Sequence, residues 1–115
     1  MKRVILESPF AEFISESHWT RTVEENIKYA RLCIRDSLSR GEAPIASHLL
    51  YTQEWVLDDL IPHERKWWID AWLVWKEVAD KQVFYIDYWM TRWMLYAEQY
   101  WKEHDIEIEY RFLYE

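Results

Sequence analysis

The chain has 115 residues, which suits one domain with a modest core, and we expect a single domain over residues 1–115. Its net charge of −7 argues against a DNA or RNA polymer as partner, because such partners need a basic surface. The absence of a bilayer-length apolar run argues against a membrane partner, and a single cysteine fits a reducing compartment, so we expect a cytoplasmic protein.

The first half of the chain predicts a strand followed by a loop and a helix. Residues 3–7 form a continuous apolar run, which is typical of a strand buried on both faces. Residues 11–22 are polar and irregular and predict a loop. Helical spacing of apolar residues then predicts a helix over 23–39, with Gly41 as its C-capping glycine and Cys33 as a buried, unreactive thiol. The predicted apolar face of this helix is Val23, Ile27, Ala30, Ile34 and Leu38.

The second half repeats this alternation of strands and helices. Residues 44–46 predict a short strand, and Pro62 suits the first turn of a helix that reaches about residue 80. Residues 82–86 predict another buried strand, and a third helix starts near Arg92. The alternating end IEIEYRFL, residues 106–113, predicts an edge strand with Ile106, Ile108, Tyr110 and Phe112 on its covered face and Glu107, Glu109 and Arg111 outside.

The order β-α-β-α-β-α-β indicates an α/β fold with a short, mostly parallel four-stranded sheet and right-handed crossovers. Ligands of such sheets lie beyond the carboxyl ends of the strands. The residues that follow the three predicted strand ends are therefore candidates for ligand binding. They are Ser8, Pro9 and Phe10, then Ser47, His48, Tyr51 and Gln53, then Asp87, Trp89 and Arg92. A ligand pocket is one interpretation of this polar group, and a solvated loop is the other.

Several of these residues suit a nucleotide. Arg92, at a helix start, suits a phosphate, although a surface salt bridge is equally open. His48 could donate a hydrogen bond to a phosphate, a ribose or the backbone, or could be purely structural. Phe10, Tyr51 and Trp89 could stack on a base, and stacking contributes roughly 1–3 kcal/mol per base. The spacing of His, Asp and Glu fits no metal motif, so we expect no metal and no cofactor.

Five segments resemble a family of small, often phage-encoded proteins related to nucleoside 2-deoxyribosyltransferases. The segments are RVILESPF, ENIKYARLCIRDSLSRGEAPIASHLLYTQ, VLDDLIPHER, VADKQVFYIDYWMTRWMLYA and IEIEYR. They cover nearly the whole chain except the part around residues 12–22. The resemblance implies a three-layer flavodoxin-like or Rossmann-like fold, a nucleoside or nucleotide pocket, and a homo-oligomer in which neighbours complete each site.

The resemblance also implies roles for particular residues. Ser8, Pro9 and Phe10 match the segment that lies near the nucleobase in deoxyribosyltransferases, and Asp87 matches their strand-end aspartate. The position of their nucleophilic glutamate holds Ala97 here, and Glu98 is one residue away, turned by about 100° on a helix. If the protein is an enzyme, Asp87 and Glu98 are the expected catalytic residues. The missing glutamate favours a protein that does no chemistry.

The chain has nine tryptophans and one glycine, and five tryptophans stand where the resembled family would have glycine. They are Trp55, Trp68, Trp72, Trp89 and Trp93. One explanation is divergence, in which the rings line the pocket. The other is a decoding artefact, in which UGA codons that the source reads as glycine were translated as tryptophan. UGA codons at all five positions would support the artefact, and UGG codons would exclude it.

Three functions stay open at this point. We expect first a protein that binds a nucleotide or a nucleoside-derived small molecule without turnover, for example a phage anti-defence sponge that sequesters a nucleotide immune signal in the infected host cytoplasm. The second is a nucleoside deoxyribosyltransferase or N-glycosidase that uses Asp87 and Glu98. The third is a structural protein whose tryptophans form oligomer interfaces around a vestigial pocket.

Overall fold

A computed structural model describes residues 1–10, 13–14 and 20–114, with the side chains of 13–14 and 20–21 excepted. In chain order the strands and helices are β1 (Arg3–Glu7), β2 (Phe13–Ile14), β3 (Thr20–Arg21), α1 (Val23–Ser39), β4 (Ala43–Ile45), α2 (Ser47–Leu50), α3 (Pro62–Lys76), β5 (Lys81–Tyr85), α4 (Arg92–Glu103) and β6 (Ile108–Arg111). Within these described residues, no helix is both long and apolar enough to cross a bilayer.

The main sheet has the strand order β4-β1-β5-β6, and every neighbouring pair is parallel. The chain runs from β1 outward to β4 and then returns to β5 on the other side of β1. The strand order therefore reverses between β1 and β5, which is where open α/β sheets form ligand crevices. The predicted α/β fold, with its flavodoxin-like or Rossmann-like three layers and four-stranded sheet, is confirmed, and β6 is an edge strand as expected.

Alternate residues of the central strands bury their side chains in two different apolar layers. On one face, Val4 and Leu6 of β1 pack with Tyr29 and Cys33 of α1. On the other face, Ile5 packs with a cluster that α3 and α4 supply. This two-sided burial explains why the sequence of β1 is continuously apolar. Cys33 is fully buried, as expected, and burial raises the pKa of its thiol.

Both ends of α1 are capped. The hydroxyl of Thr22 accepts a hydrogen bond from the Glu25 amide, and the Glu25 carboxylate accepts one from the Thr22 amide, which forms a capping box. At the other end Gly41 has a φ of 79°. The Gly41 amide donates to the Leu38 carbonyl and the Glu42 amide to the Ser37 carbonyl, which is a Schellman motif. The predicted role of Gly41 is confirmed.

The buried face of α1 differs from the predicted apolar stripe. Val23 is 36% and Leu38 is 58% exposed, whereas Asn26 and Ser37 are fully buried. The reason is that both polar side chains have hydrogen-bond partners. The Asn26 amide donates to the Phe10 carbonyl, and the Ser37 hydroxyl donates to the Glu42 carboxylate. Because these hydrogen bonds satisfy their polar groups, Asn26 and Ser37 can be buried, and the buried face of α1 is not the purely apolar one.

Other boundaries also shift. The helix α3 ends at Lys76 rather than near residue 80, and the predicted loop after β4 begins with the short helix α2. Most of the predicted loop over residues 11–22 lies outside the described residues, but the backbone at 13–14 pairs with that at 20–21 as antiparallel β2 and β3.

The predicted alternation of the last strand is wrong in its second half. Tyr110 and Phe112 are 43% and 45% exposed, whereas Arg111 is buried. Arg111 is inside because its guanidinium binds both carboxylate oxygens of Glu42, at 2.8 and 2.6 Å. Lys81 adds ion pairs with Glu42 at 3.0 Å and with Glu109 at 2.8 Å. This buried ionic network connects the turn before β4 to β5 and β6.

The network predicts how acid affects stability. Hydrogen bonds from Arg111 lower the pKa of Glu42 to about 2. A lowered pKa in the folded state stabilises the fold above pH 4.5, and this contribution disappears as the pH falls towards 2. We expect Glu42→Gln to lower the free energy of unfolding at neutral pH by about 3 kcal/mol, because it leaves Arg111 and Lys81 short of a partner. We also expect the Glu42→Gln variant to lose less stability than the wild type does as the pH falls.

Urea unfolding between pH 2 and pH 7 measures both effects. The control is Glu77→Gln, which changes an exposed carboxylate outside the network. Equal acid sensitivity in wild type and Glu42→Gln would contradict a stabilising role for this carboxylate.

Candidate functional site

A cavity of about 260 Å³ lies at the carboxyl ends of β1 and β4, beside α3 and the start of α4. Four elements that are far apart in sequence therefore meet at the predicted edge of the sheet. The described residues that line it are Ser8, Phe10, His48, Asp59, Arg65, Trp68, Thr91, Arg92 and Trp93. A cavity of this size and position can hold a small organic ligand.

Three aromatic rings form one side of this cavity. Trp68 of α3 lies between Phe10, whose ring centre is 6.3 Å away in an edge-on arrangement, and Trp93 of α4, at 5.9 Å. The indole nitrogen of Trp68 donates to the Ser47 hydroxyl at 3.1 Å, which fixes the orientation of the ring. The wall is therefore built from three separate segments of the chain, and the Trp68 ring is anchored by a buried hydrogen bond.

Two guanidinium groups border the same cavity. Arg65 lies 5.7 Å from the centre of the Trp68 ring, within cation–π distance. Arg92 is the first residue of α4, after the N-cap Thr91, whose hydroxyl accepts a hydrogen bond from the Met94 amide. The amino end of a helix adds partial positive charge. In the part of the chain that the structure describes, neither guanidinium pairs with a carboxylate, so both are available to an anion.

A buried polar group lies beside the cavity. Its centre is Glu7, the last residue of β1, which is fully buried. The carboxyl group accepts hydrogen bonds from the indole nitrogens of Trp72 at 3.0 Å and Trp93 at 3.3 Å. His48 lies between Glu7 and Ser8, with Nδ1 3.9 Å from Glu7 Oε2 and Nε2 2.8 Å from the Ser8 hydroxyl. The three side chains thus form the order carboxyl, imidazole, hydroxyl.

Burial controls the protonation of this group. Desolvation raises the pKa of Glu7 to about 8, even though hydrogen bonds from Trp72 and Trp93 act in the opposite direction. Desolvation also lowers the pKa of His48 to about 4. At neutral pH, Glu7 is therefore mainly a carboxylic acid and His48 a neutral imidazole. Glu7 was not predicted as a site residue, although a charged residue that shares a strand face with the apolar Ile5 was a signal in the sequence.

The structure brings some of the sequence-predicted ligand residues together and places others elsewhere. Ser8, Phe10, His48 and Arg92 line the cavity. The other six do not, and they are Pro9, Ser47, Tyr51, Gln53, Asp87 and Trp89.

These six residues have other surroundings. The Ser47 hydroxyl accepts a hydrogen bond from the indole nitrogen of Trp68. The Tyr51 hydroxyl accepts a hydrogen bond from Trp75 at 2.8 Å, and the exposed Gln53 amide donates to the Leu50 carbonyl. Trp89 is 73% exposed. Pro9 lies between the two cavity residues Ser8 and Phe10.

The two carboxylates expected to be catalytic if the protein is an enzyme bind other segments of the chain and do not line the cavity. Asp87 accepts hydrogen bonds from the Tyr29 hydroxyl and from the amides of Leu113 and Tyr114. Burial acts to raise the pKa of Asp87, but these hydrogen bonds outweigh it and hold the pKa low. Glu98 accepts a hydrogen bond from the Tyr110 hydroxyl and lies 3.7 Å from the Lys102 ammonium.

Two further features that the sequence raised are the position of Ala97 and the clustering of residues that could bind a metal. Ala97, at the position that the resemblance matches to a nucleophilic glutamate, is fully buried in the apolar layer. No cluster of three or more His, Cys, Asp or Glu side chains suited to a metal occurs among residues 1–10, 13–14 and 20–114.

The five tryptophans that replace expected glycines fall into two groups. Trp55 and Trp89 have φ values of 73° and 71°, in the left-handed region that favours glycine, and both rings are largely exposed. Trp68, Trp72 and Trp93 lie within helices, where glycine is not required, and fill the cavity wall and the core. The backbone at Trp55 and Trp89 has a conformation that glycine adopts readily. This conformation is compatible with divergence and with a decoding artefact.

The chain belongs to a family described as a domain of unknown function (DUF7768), whose model matches residues 2–111. No curated protein and no solved structure matches the chain.

The protonation of Glu7 predicts an unusual pH dependence. Because the pKa of Glu7 is raised in the folded state, the folded protein keeps a proton that the unfolded chain releases above pH 4.5. The stability of the fold therefore falls as the pH rises from 4.5 to about 8. His48 acts oppositely, but only below its ordinary pKa of 6.5. Between pH 6.5 and pH 8 we therefore expect the wild type to lose roughly 1–2 kcal/mol of stability, and Glu7→Gln to lose little.

Thermal and urea unfolding at several pH values in this window measure the slope. The variant Glu77→Gln, in which an exposed carboxyl group changes, should keep the wild-type slope. A wild type whose stability is constant between pH 6.5 and pH 8 would show that Glu7 ionises normally.

The left-handed backbone at Trp89 gives a second prediction. Replacement by glycine removes the steric cost of a left-handed tryptophan, so Trp89→Gly should raise the free energy of unfolding by about 1 kcal/mol. The matched control is Trp67→Gly, which changes an exposed tryptophan inside α3 and should destabilise by about 1 kcal/mol. Urea unfolding of the three proteins compares them. Loss of stability in both variants would contradict backbone strain at Trp89.

Proposed function

We propose that this DUF7768 domain binds a nucleotide-type small molecule in the cavity at the carboxyl edge of its sheet, without cleaving the glycosidic bond. One observation carries the proposal. The same cavity is bordered by the three rings of Phe10, Trp68 and Trp93 and by the guanidinium groups of Arg65 and Arg92. Flat apolar surfaces suit a base, and guanidinium groups suit a phosphate.

The aromatic wall supplies binding energy for a base without requiring its identity. Stacking on an aromatic side chain contributes roughly 1–3 kcal/mol per base, because every base has a π face. Trp68 and Trp93 are already fixed by hydrogen bonds to Ser47 and Glu7, so little freedom is lost when a base packs against them. The wall is therefore organised before the ligand arrives.

The positive side of the cavity supplies a site for a phosphate. Arg92 combines its own charge with the amino end of the twelve-residue helix α4, and an anion there is stabilised by both. Arg65 adds a second guanidinium from α3, and Asp59 and the Ser8 hydroxyl offer polar atoms for the sugar. The overall charge of −7 does not oppose this, because the local donors decide binding of a small anion.

The placement of the carboxylates favours binding over glycosyl transfer. Cleavage of an N-glycosidic bond needs a carboxylate that stabilises an oxocarbenium-like centre. Asp87 and Glu98 bind other segments of the chain, and Glu7 is buried behind the indoles of Trp72 and Trp93. The transferase or N-glycosidase alternative would therefore need Asp59, which is the acidic side chain among the described residues that line the cavity.

The resemblance to deoxyribosyltransferase-related phage proteins suggests a biological use for such binding. A domain that retains a nucleotide immune signal unaltered would act as a sponge in an infected cell, and it would need a high copy number rather than a fast reaction. A homo-oligomer would place several cavities in one particle. Both ideas are part of the proposal and depend on the ligand that the cavity takes.

Native mass spectrometry tests the proposal directly. The protein is mixed with nucleosides, mononucleotides, cyclic nucleotides and ADP-ribose, and the spectrum reports both retained ligands and the number of subunits. Retention of a nucleotide with unchanged mass supports the proposal. A released base or a covalent sugar adduct would contradict it and favour the enzyme, whereas absence of any retained compound would favour the structural protein.

The phosphate site predicts the effect of one substitution. Arg92→Ala should weaken binding of a retained nucleotide by about tenfold or more, because a charge-assisted contact is lost, and should leave binding of the matching nucleoside nearly unchanged. Isothermal titration calorimetry measures both affinities. Arg35→Ala, which changes an exposed arginine of α1, is the matched control and should bind as wild type does. Equal losses for nucleotide and nucleoside would exclude the phosphate role of Arg92.

A further inference from the structure

The geometry points to a second activity at the floor of the same cavity, in which Ser8 is a nucleophile for acyl transfer, His48 is its general base, and Glu7 positions His48. The proposed substrate is a small carboxylic ester. The activity goes beyond nucleotide binding, and its test requires no nucleotide.

The arrangement of the three side chains is that of a nucleophile, a base and an orienting carboxyl group. The Ser8 hydroxyl and His48 Nε2 are 2.8 Å apart, within hydrogen-bond distance. The other ring nitrogen, Nδ1, faces Glu7 Oε2 at 3.9 Å. This is the order in which hydrolases connect serine, histidine and an acid, and such groups are recognised by geometry rather than by sequence position.

His48 Nδ1 is a buried polar atom whose hydrogen-bonding capacity the described residues leave unused. It is buried and has no hydrogen-bond partner in the part of the chain that the structure describes. The distance of 3.9 Å to Glu7 is about 1 Å longer than a hydrogen bond. Catalytic hydrogen bonds are often long without substrate and shorten when it binds, so we expect this contact to close in the occupied site.

The surroundings suit the chemistry of an ester. Ser8 and His48 both line the cavity, and with exposures of 2% and 1% they are nearly closed off from bulk water. The amino end of α4 and the Arg92 guanidinium border the same space and stabilise negative charge on the carbonyl oxygen. The walls of Phe10 and Trp68 favour an ester with an aromatic group.

The reaction proceeds in two balanced halves. Ser8 Oγ attacks the ester carbonyl while His48 Nε2 takes the hydroxyl proton, and that proton passes to the departing alcohol as the carbonyl–alkoxide bond breaks. The acyl group is then bonded to Ser8. Water attacks this acyl-serine, His48 takes the proton of the water and returns it to Ser8 Oγ, and the carboxylic acid leaves. Neither an oxidant nor a cofactor is required.

Fluorophosphonate labelling tests the nucleophile in the intact protein. The expected result is one adduct per chain on the wild type, mapped by peptide mass spectrometry to Ser8. The adduct should be absent in Ser8→Ala and slowed by about 100-fold in His48→Gln, which keeps a hydrogen-bonding side chain but no base. Ser39→Ala, which changes an exposed serine at the end of α1, should label like the wild type.

Hydrolysis of p-nitrophenyl acetate measures turnover and the role of Glu7. The part of the rate that depends on Ser8 should rise as the pH passes through about 8, because an ionised Glu7 stabilises the protonated imidazole, and the rise should vanish in Glu7→Gln. The groups that face Glu7 are His48, Trp72 and Trp93, and the charged groups at the cavity are Asp59, Arg65 and Arg92.

Two results would overturn this assignment, and neither depends on a variant that folds poorly. The first is folded wild-type protein with no adduct at Ser8. The second is an adduct elsewhere in the chain that accounts for all labelling. If nucleotide binding succeeds while Ser8 stays unlabelled, the proposed function holds and this activity fails. If labelling succeeds without any bound nucleotide, the reverse is true.

Discussion

The burial of Glu7 at the end of β1 is the interaction on which the candidate site depends. Its carboxyl group receives the indole nitrogens of Trp72 from α3 and Trp93 from α4, and it faces His48 from the segment after β4. One side chain therefore connects the central strand to three other elements. The cost of burying the group is limited because the carboxyl stays protonated near neutral pH. The cavity wall at Trp93 is held by this contact.

The topology explains why the remaining cavity groups gather at the same place. Because the chain goes from β1 to β4 and then to β5 on the other side of β1, the residues after β1 and β4 face the same edge as the start of α4. Two properties then coincide: a hydrophobic aromatic surface and two guanidinium groups without carboxylate partners among the described residues. The proposed binding of an aromatic anion depends on both properties, whereas the proposed acyl transfer depends on Ser8 and His48 at the same cavity.

The sequence predicted the layers of this fold better than the details of its site. The apolar runs of β1 and β5 and the capping glycine Gly41 are local signals, and they were read correctly. Arg111 and Glu7 were not, because their burial depends on partners more than sixty residues away, Glu42 and Trp72. Ser8, Phe10, His48 and Arg92 were placed by the rule that strand ends form the pocket. Trp68 and Trp93 were among five tryptophans predicted as possible pocket rings, and it took the packing of α3 and α4 to separate them from the exposed Trp55 and Trp89 and from Trp72 in the core.

Nuclear magnetic resonance of the tryptophan side chains tests the central claim most directly, since the indole N–H signals report separately on the cavity, the core and the surface. The protein is titrated with an equimolar mixture of nucleoside monophosphates. Our account predicts saturable shifts at Trp68 and Trp93, a smaller shift at Trp72 through Glu7, and none at the exposed Trp55 and Trp89. Shifts confined to Trp55 and Trp89, or no saturable shift at any indole, would contradict a nucleotide site in this cavity.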